Sequence, residues 1–158
     1  MVHKFIHDYC TSARWIFIHD DDTFIRYKNQ LTKVLINHNE EDHFQCMYGY
    51  LTEENPLRWN KYNSTALQYP MGYRYPKFCH GPCMTVSRSA SIKIYTAALK
   101  YGWNTFKLED VLFSGIMRTI ANVSNIGIGY GNCVHVYNDK AASLTRQLNV
   151  FKKANPHT

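Results

Sequence analysis

The chain lacks any run of about 18 consecutive apolar residues, so no stretch of it reads as a membrane span. Its start, Met1-Val2-His3-Lys4-Phe5, lacks the long apolar region of a signal peptide. Lys and Arg never gather into a block of about five or more, which leaves a nucleic-acid partner without an electrostatic footprint. The net charge of +6 suits an anionic small ligand equally well. Internal repeats and low-complexity segments are missing. Gly127-Ile-Gly-Tyr-Gly131 is no phosphate fingerprint, because it does not lead from a strand into a helix. The five cysteines, Cys10, Cys46, Cys79, Cys83 and Cys133, fit neither a zinc ribbon nor a dense disulfide scaffold. Cys79-x-x-x-Cys83 has no second pair to complete a zinc site, and one or two disulfides plus an odd thiol is the expected use in an oxidising compartment. Two sequons, Asn63-Ser64-Thr65 and Asn122-Val123-Ser124, are acceptors for N-glycosylation if the chain enters the secretory route.

What is present is enough for one domain: 158 residues, 45% hydrophobic and 15% aromatic. The stretch from Trp15 to Ile25 organises the rest. Trp15-Ile16-Phe17-Ile18 is a short apolar run that reads as a buried strand. After His19 come three adjacent carboxylates, Asp20, Asp21 and Asp22, which repel one another and gain nothing from a core. A divalent cation explains them, since Mg²⁺ and Mn²⁺ prefer carboxylate oxygens and leave positions for phosphate. Ligands of open α/β sheets bind beyond the carboxyl ends of strands, where this cluster falls. An Asp-rich turn capping the next helix accounts for the same residues.

Along the chain, residues 3–15 read as a polar-apolar lead-in. Phe24, Tyr27, Leu31 and Leu35 at helical spacing predict a helix from Thr23 to Ile36. Phe44–Leu51 reads as a strand, and Thr52–Gly72 as irregular. Tyr69-Pro70 and Tyr75-Pro76 bracket a turn at Gly72, and Tyr before Pro is held extended. That makes a rigid aromatic loop, either a ligand wall or a loop packed on the core. Phe78–Val86 is a second apolar run. Ser87–Tyr101 is a helix capped by Ser87 or Ser89, with Ile92, Tyr95, Ala98 and Leu99 as its stripe and Gly102 ending it. Val111–Val123 is another helix, in which Gly115 points to close packing. Cys133–Tyr137 is a short strand, Asp139 starts a last helix to Phe151, and residues 152–158 fray.

Glu109-Asp110 is the second acidic site. It either caps the helix that follows or supplies a general base. With these landmarks in order, the chain resembles the galactosyltransferase family of inverting β-1,3-glycosyltransferases, related to Fringe. The resemblance runs through Cys10-Thr-Ser-Ala13-Arg14, the Trp15–Ile25 block, Tyr69-Pro70, Tyr75-Pro76-Lys-Phe-Cys79-His-Gly81, Ser87-Arg88, Glu109-Asp110-Val111-Leu-Phe-Ser-Gly115 and Val134-His135-Val136. It covers roughly residues 10–148 of the sequence.

The resemblance implies an α/β, GT-A-like fold, with residues 1–151 the C-terminal part of a catalytic domain that lacks its N-terminal βαβ units. It implies a metal-dependent transfer of galactose or N-acetylglucosamine from a UDP-sugar to a glycan hydroxyl in β-1,3 linkage. Asp20, Asp21 and Asp22 would face the donor diphosphate. Asp20, Asp22 and His135 would hold Mn²⁺ or Mg²⁺. Asp110, with Glu109 beside it, would be the base. Tyr69, Tyr75, Cys79 and Gly81 would border the substrate. The partners would be a UDP-sugar and a glycan acceptor, with no nucleic acid. The place would be the lumenal side of the Golgi membrane, reached through an N-terminal anchor outside this sequence, and the product a glycoprotein. The chain departs from the family pattern at His80-Gly81-Pro82-Cys83-Met84, where Pro82 stiffens the backbone. Starting just before the acidic strand, the isolated chain is expected to be inactive in transfer and poorly soluble. A non-catalytic carbohydrate- or partner-binding remnant is the alternative reading.

Overall fold

Cys83–Ser87 is the hub of the fold, a strand whose five residues are all buried. Its apolar Met84 and Val86 alternate with Thr85 and Ser87, and the two polar residues are buried as fully as the apolar ones. In chain order the strands are β1 (Trp15–His19), β2 (Thr23–Ile25), β3 (His43–Cys46), β4 (Cys83–Ser87), β5 (Ser124–Gly127) and β6 (Cys133–His135). Two helices are α1 (Val2–Tyr9) and α2 (Arg88–Tyr101). A π-helix, Asp110–Met117, passes into an α-helical turn, Arg118–Ile120. The computed structural model describes residues 2–21, 23–25, 43–46, 54–56, 63–81, 83–102, 106–127 and 133–135. The expected helix over residues 139–151, most of that over 23–36, and residues 47–51 and 136–137 of two expected strands lie outside them.

The four-stranded sheet has the order β1-β4-β3-β5. β1 and β3 flank β4 antiparallel, and β5 runs parallel to β3. β1 pairs along its whole length, from Trp15 opposite Ser87 to His19 opposite Cys83. Mixed helix and sheet agree with the α/β expectation. Among the described residues the partner of β1 is the antiparallel β4.

One expectation is corrected. Thr23–Ile25 does not begin a helix: it is a strand paired antiparallel with β6, Thr23 opposite His135 and Ile25 opposite Cys133. Thr and Ile are β-branched and Phe is aromatic, so these three residues suit a strand as well as the first turn of a helix. The polar-apolar lead-in, for which the sequence pattern assigned no element, is helical over Val2–Tyr9. Its buried positions are His3 and Ile6, and the histidine hides the helical stripe from a hydrophobicity pattern.

The core joins Met84 and Val86 of β4 to Ala90 and Ile94 of α2 and to Leu112 and Phe113 of the π-helix. Ser87 caps α2 as expected, its Oγ accepting from Ala90 N at 3.2 Å, and Gly102 closes the helix with φ +79°. Of the expected stripe, Tyr95 and Ala98 are buried and Ile92 is half-buried, while Leu99 is 61% exposed and Ile94 and Ala97 complete the inner face. Gly115 has the tight contact its place in a helix suggested. A Cβ there would lie 3.1 Å from Phe78 Cβ and 3.4 Å from Pro76 O. The π-helix gains extra donors from its own side chains. Ser114 Oγ donates to Asp110 O at 2.6 Å, Arg118 Nε to Ser114 O at 2.8 Å and Thr119 Oγ1 to Gly115 O at 2.8 Å. Such bonds to the preceding turn compete with the regular backbone ladder and suit a widened helix.

α1 is held to α2 by a buried polar contact. His3 Nδ1 lies 2.8 Å from Ser91 Oγ, and the His3 ring packs on Phe113 at 5.0 Å. Arg88 Nε donates to Cys10 O at 2.9 Å, tying the end of α1 to the start of α2. Burial lowers the His3 pKa from 6.5 to about 4, because the charged imidazolium loses its water. A depressed histidine stabilises the fold in its neutral form. That contribution is present above the unfolded value and is lost as pH falls from 6.5 toward about 4. The expected loss is up to about 3 kcal/mol on complete protonation. Thermal unfolding between pH 7.5 and 4 should show it, with His3→Gln flattening the slope. An unchanged slope in that variant would place the acid sensitivity elsewhere.

Candidate active site

β1 delivers its acids to the turn that precedes β4. His19, the last residue of β1, pairs with Cys83, so Asp20 leaves the strand beside the chain arriving from Gly81. Asp20 and Asp21 are exposed, and Thr23 N–H donates to Asp20 O at 3.2 Å, turning the chain into β2. His19 Nδ1 lies 2.9 Å from the same carbonyl. A disulfide braces this turn, because Cys83 opposite His19 is bonded to Cys133 opposite Ile25. The strands on either side of the acids are thereby linked through their partners. Cys79 is also disulfide-bonded and Cys10 is free, as the expectation of disulfides plus an odd thiol has it.

Asp110 enters the same place from the π-helix. Its Oδ2 accepts from Gly81 N–H at 2.9 Å. A Cβ at Gly81 would stand 3.0 Å from that oxygen, so a side chain there would push the carboxylate back by a few tenths of an ångström. Burial pushes the Asp110 pKa up from 3.8 to about 6. The Gly81 N–H and the nearby His80 oppose the rise, while Asp20 and Glu109 add to it through charge repulsion. Asp110 and Asp20 therefore feel one another although the chain separates them widely. Glu109 is exposed and makes no capping hydrogen bond, and the Asp110 carboxylate is engaged with Gly81. These contacts favour a site over a helix cap.

The segment ahead of Gly81 is clamped on both sides. Ser114 Oγ accepts from Cys79 N–H at 2.8 Å while donating to Asp110 O. Glu54 accepts Tyr75 N–H at its carbonyl and lies 2.8 Å from His80 Nε2 with its carboxylate. Ser114, His80 and Glu54 had no signal in the sequence, since only folding brings them together. Tyr75 and Cys79 are not on a solvent-facing wall. Tyr75 is 3% exposed with its hydroxyl 2.6 Å from Ser64 Oγ, and Cys79 is fully buried. Tyr69 donates its hydroxyl to Arg74 O at 2.6 Å and packs edge-on against Tyr75. Packing on the core is thus the role of these aromatics, and the exposed one in the loop is Tyr73, 67% exposed.

Asp22 and the side chain of His135 lie outside the described residues. The His135 backbone sits opposite Thr23, the residue that follows Asp22. Among the described residues no three His, Cys, Asp or Glu side chains gather as a metal site.

A family model described as galactosyltransferase matches residues 1–128. The chain belongs to the galactosyltransferase family. The match includes the acidic turn, Gly81 and Glu109-Asp110, and it stops short of His135. A galactosyltransferase domain carries glycosyl transfer as its coarse activity. No curated protein matches the chain at a significant level.

The Asp110 environment generates a stability prediction. A carboxyl whose folded pKa is raised favours its protonated form in the fold, so its contribution is present at low pH and lost as pH rises through about 6. At pH 7.5 the buried carboxylate should cost up to about 3 kcal/mol. Asp110→Asn should therefore raise the unfolding temperature at pH 7.5, and the gain should vanish near pH 4. Equal unfolding temperatures at pH 7.5 would show that the carboxylate is well solvated.

Proposed function

We propose that this galactosyltransferase-family domain is a metal-dependent inverting hexosyltransferase of GT-A-like fold. It would move galactose or N-acetylglucosamine from a UDP-sugar to a glycan hydroxyl in β-1,3 linkage, related in this to Fringe. The observation that carries the reading is the half-buried Asp110 carboxylate, held by Gly81 N–H within electrostatic reach of Asp20 at the end of β1.

Asp110 suits a general base. A pKa near 6 leaves it ionised at neutral pH yet more basic than an ordinary carboxylate. Gly81 N–H holds Oδ2, so Oδ1 is the atom to take the acceptor proton. The Gly81 contact also fixes the carboxylate plane, which is the positioning part of the catalysis. Burial is what raises the Asp110 pKa, and Glu109 is an exposed neighbour whose charge adds a little to it.

Asp20 and Asp21 are exposed carboxylates beyond a strand end, a donor set suited to Mn²⁺ or Mg²⁺, and Asp22 and His135 would complete it. When bound, such an ion supplies charge neutralisation for the departing UDP. Asp20, Asp21 and Asp22 orient the donor diphosphate, and Gly81 borders the sugar where a Cβ would crowd the Asp110 carboxylate. Tyr69 and Tyr75 support the loop from within, and Cys79 anchors it. No described helix is long and apolar enough to cross a membrane. The Cys83–Cys133 disulfide supports an oxidising lumen such as that of the Golgi.

Two experiments test the reading. Calorimetric titration of UDP should show binding that requires Mn²⁺, and Asp22→Ala should remove that dependence by at least about tenfold in affinity. Equal UDP binding with and without Mn²⁺ would end the assignment of the acids. In a chain that carries the N-terminal βαβ units the family resemblance implies, Asp110→Asn should retain UDP-sugar affinity and lose transfer by about 10²–10⁴-fold, since the amide keeps the shape but takes no proton. Transfer by the wild type should rise with pH through about 6. Near wild-type turnover in Asp110→Asn would assign the base elsewhere.

A further inference from the structure

The two sequons are not equivalent once folded. Asn122 is exposed in the turn that ends the helical segment, with φ +52°, and Ser124 is exposed at the start of β5. Asn63 is half-buried, its neighbour Ser64 is held inward by the buried Tyr75, and the Thr65 hydroxyl that the sequon uses accepts from Gln68 N–H at 3.2 Å. Asparagine tolerates the left-handed conformation better than most residues, which accounts for it at this turn without any modification. Three further features favour a glycan there. Among the described residues nothing hydrogen-bonds the Asn122 carboxamide, so the nitrogen is available. The backbone around it is rigid: Asn122 N–H donates to Thr119 O at 3.1 Å, Val123 N–H to Arg118 O at 3.1 Å, and Arg118 Nη1 to Val123 O at 2.7 Å. Beside it stands Ile120, an aliphatic side chain 44% exposed, which attached sugar would cover. The turn also lies at the opposite end of the helical segment from Asp110, so a bulky branch there leaves the candidate active site open.

We propose that Asn122 is an N-glycosylation site of this protein and that Asn63 is not. The chemistry is transfer from a lipid-linked diphosphate oligosaccharide. Asn122 Nδ2 bonds to the anomeric carbon, the bond from that carbon to the diphosphate oxygen breaks, and the lipid diphosphate leaves with the electron pair. The amide proton goes to a base of the transferring enzyme. This modification is made on the chain, not by it, so it stands independently of the proposed activity.

The test supplies the compartment. The full 158-residue chain is expressed in eukaryotic cells behind a cleavable secretion signal, with mass read before and after peptide N-glycosidase treatment. That enzyme leaves aspartate at a position that carried sugar, so peptide mass locates the site. One glycan at Asn122 is expected. Ser124→Ala removes the sequon while leaving Asn122 and its turn intact, and Asn122→Asp keeps a residue suited to the left-handed turn. Both should abolish the mass step, and Asn63→Gln should retain it. A wild-type chain without sugar, a step that survives Ser124→Ala, or sugar at Asn63 would overturn the proposal. Chains retained in the cell are read with the secreted ones, so a folding defect cannot hide the outcome.

Discussion

Gly81 N–H and Asp110 Oδ2 meet at 2.9 Å, and the candidate site depends on that approach. It pairs a backbone N–H with a carboxylate at a spacing that a Cβ on Gly81 would crowd, and it joins the segment ahead of β4 to the π-helix. The segment ahead of β4 brings backbone close to the acidic turn, while the π-helix brings the basic oxygen. Ser114 reinforces the junction by bonding the Cys79 N–H and the Asp110 carbonyl at once. Burial alone would neutralise Asp110, and one N–H alone would lower its pKa. Their balance, with His80 and Asp20 as further opposing charges, leaves a carboxylate poised near 6.

The same region is braced covalently. β1 and β2 leave the acidic turn for different sheets, and their partners Cys83 and Cys133 are joined by a disulfide. Repelling carboxylates favour a loose turn, and a cross-link between the adjoining strands limits how far it opens. β4 carries this brace at its first residue and the cap of α2 at its last, so one buried strand positions both ends. His43 N–H also donates to Ser87 Oγ at 3.3 Å, which ties β3 to the same cap.

Polar groups inside this protein mark junctions between elements. His3 with Ser91 joins α1 to α2, Ser64 with Tyr75 secures the aromatic loop, and Ser114 joins the π-helix to Cys79. Each would be costly to bury without its partner. None is visible to a method that reads apolar residues as core.

The sequence by itself determined the strand Trp15–His19, the helix Arg88–Tyr101 with its Ser87 cap and Gly102 end, and the acidic motifs. Local chemistry governs those features: apolar runs, capping hydroxyls and adjacent carboxylates act within a few residues. It also carried the family assignment, since the ordered landmarks from Cys10 to Gly115 fall in the matched span, with Val134-His135-Val136 beyond it. Tertiary structure decided the rest. It turned Thr23–Ile25 into a strand because a partner strand was there to pair with. It made Val2–Tyr9 a docked helix because Ser91 could accommodate a buried histidine. Tyr75 went into the core because Ser64 could satisfy its hydroxyl. Glu54 met His80, and Ser114 met Cys79, across long stretches of sequence that only folding closes. A carboxylate's basicity depends on what surrounds it, and those surroundings exist only in the folded chain.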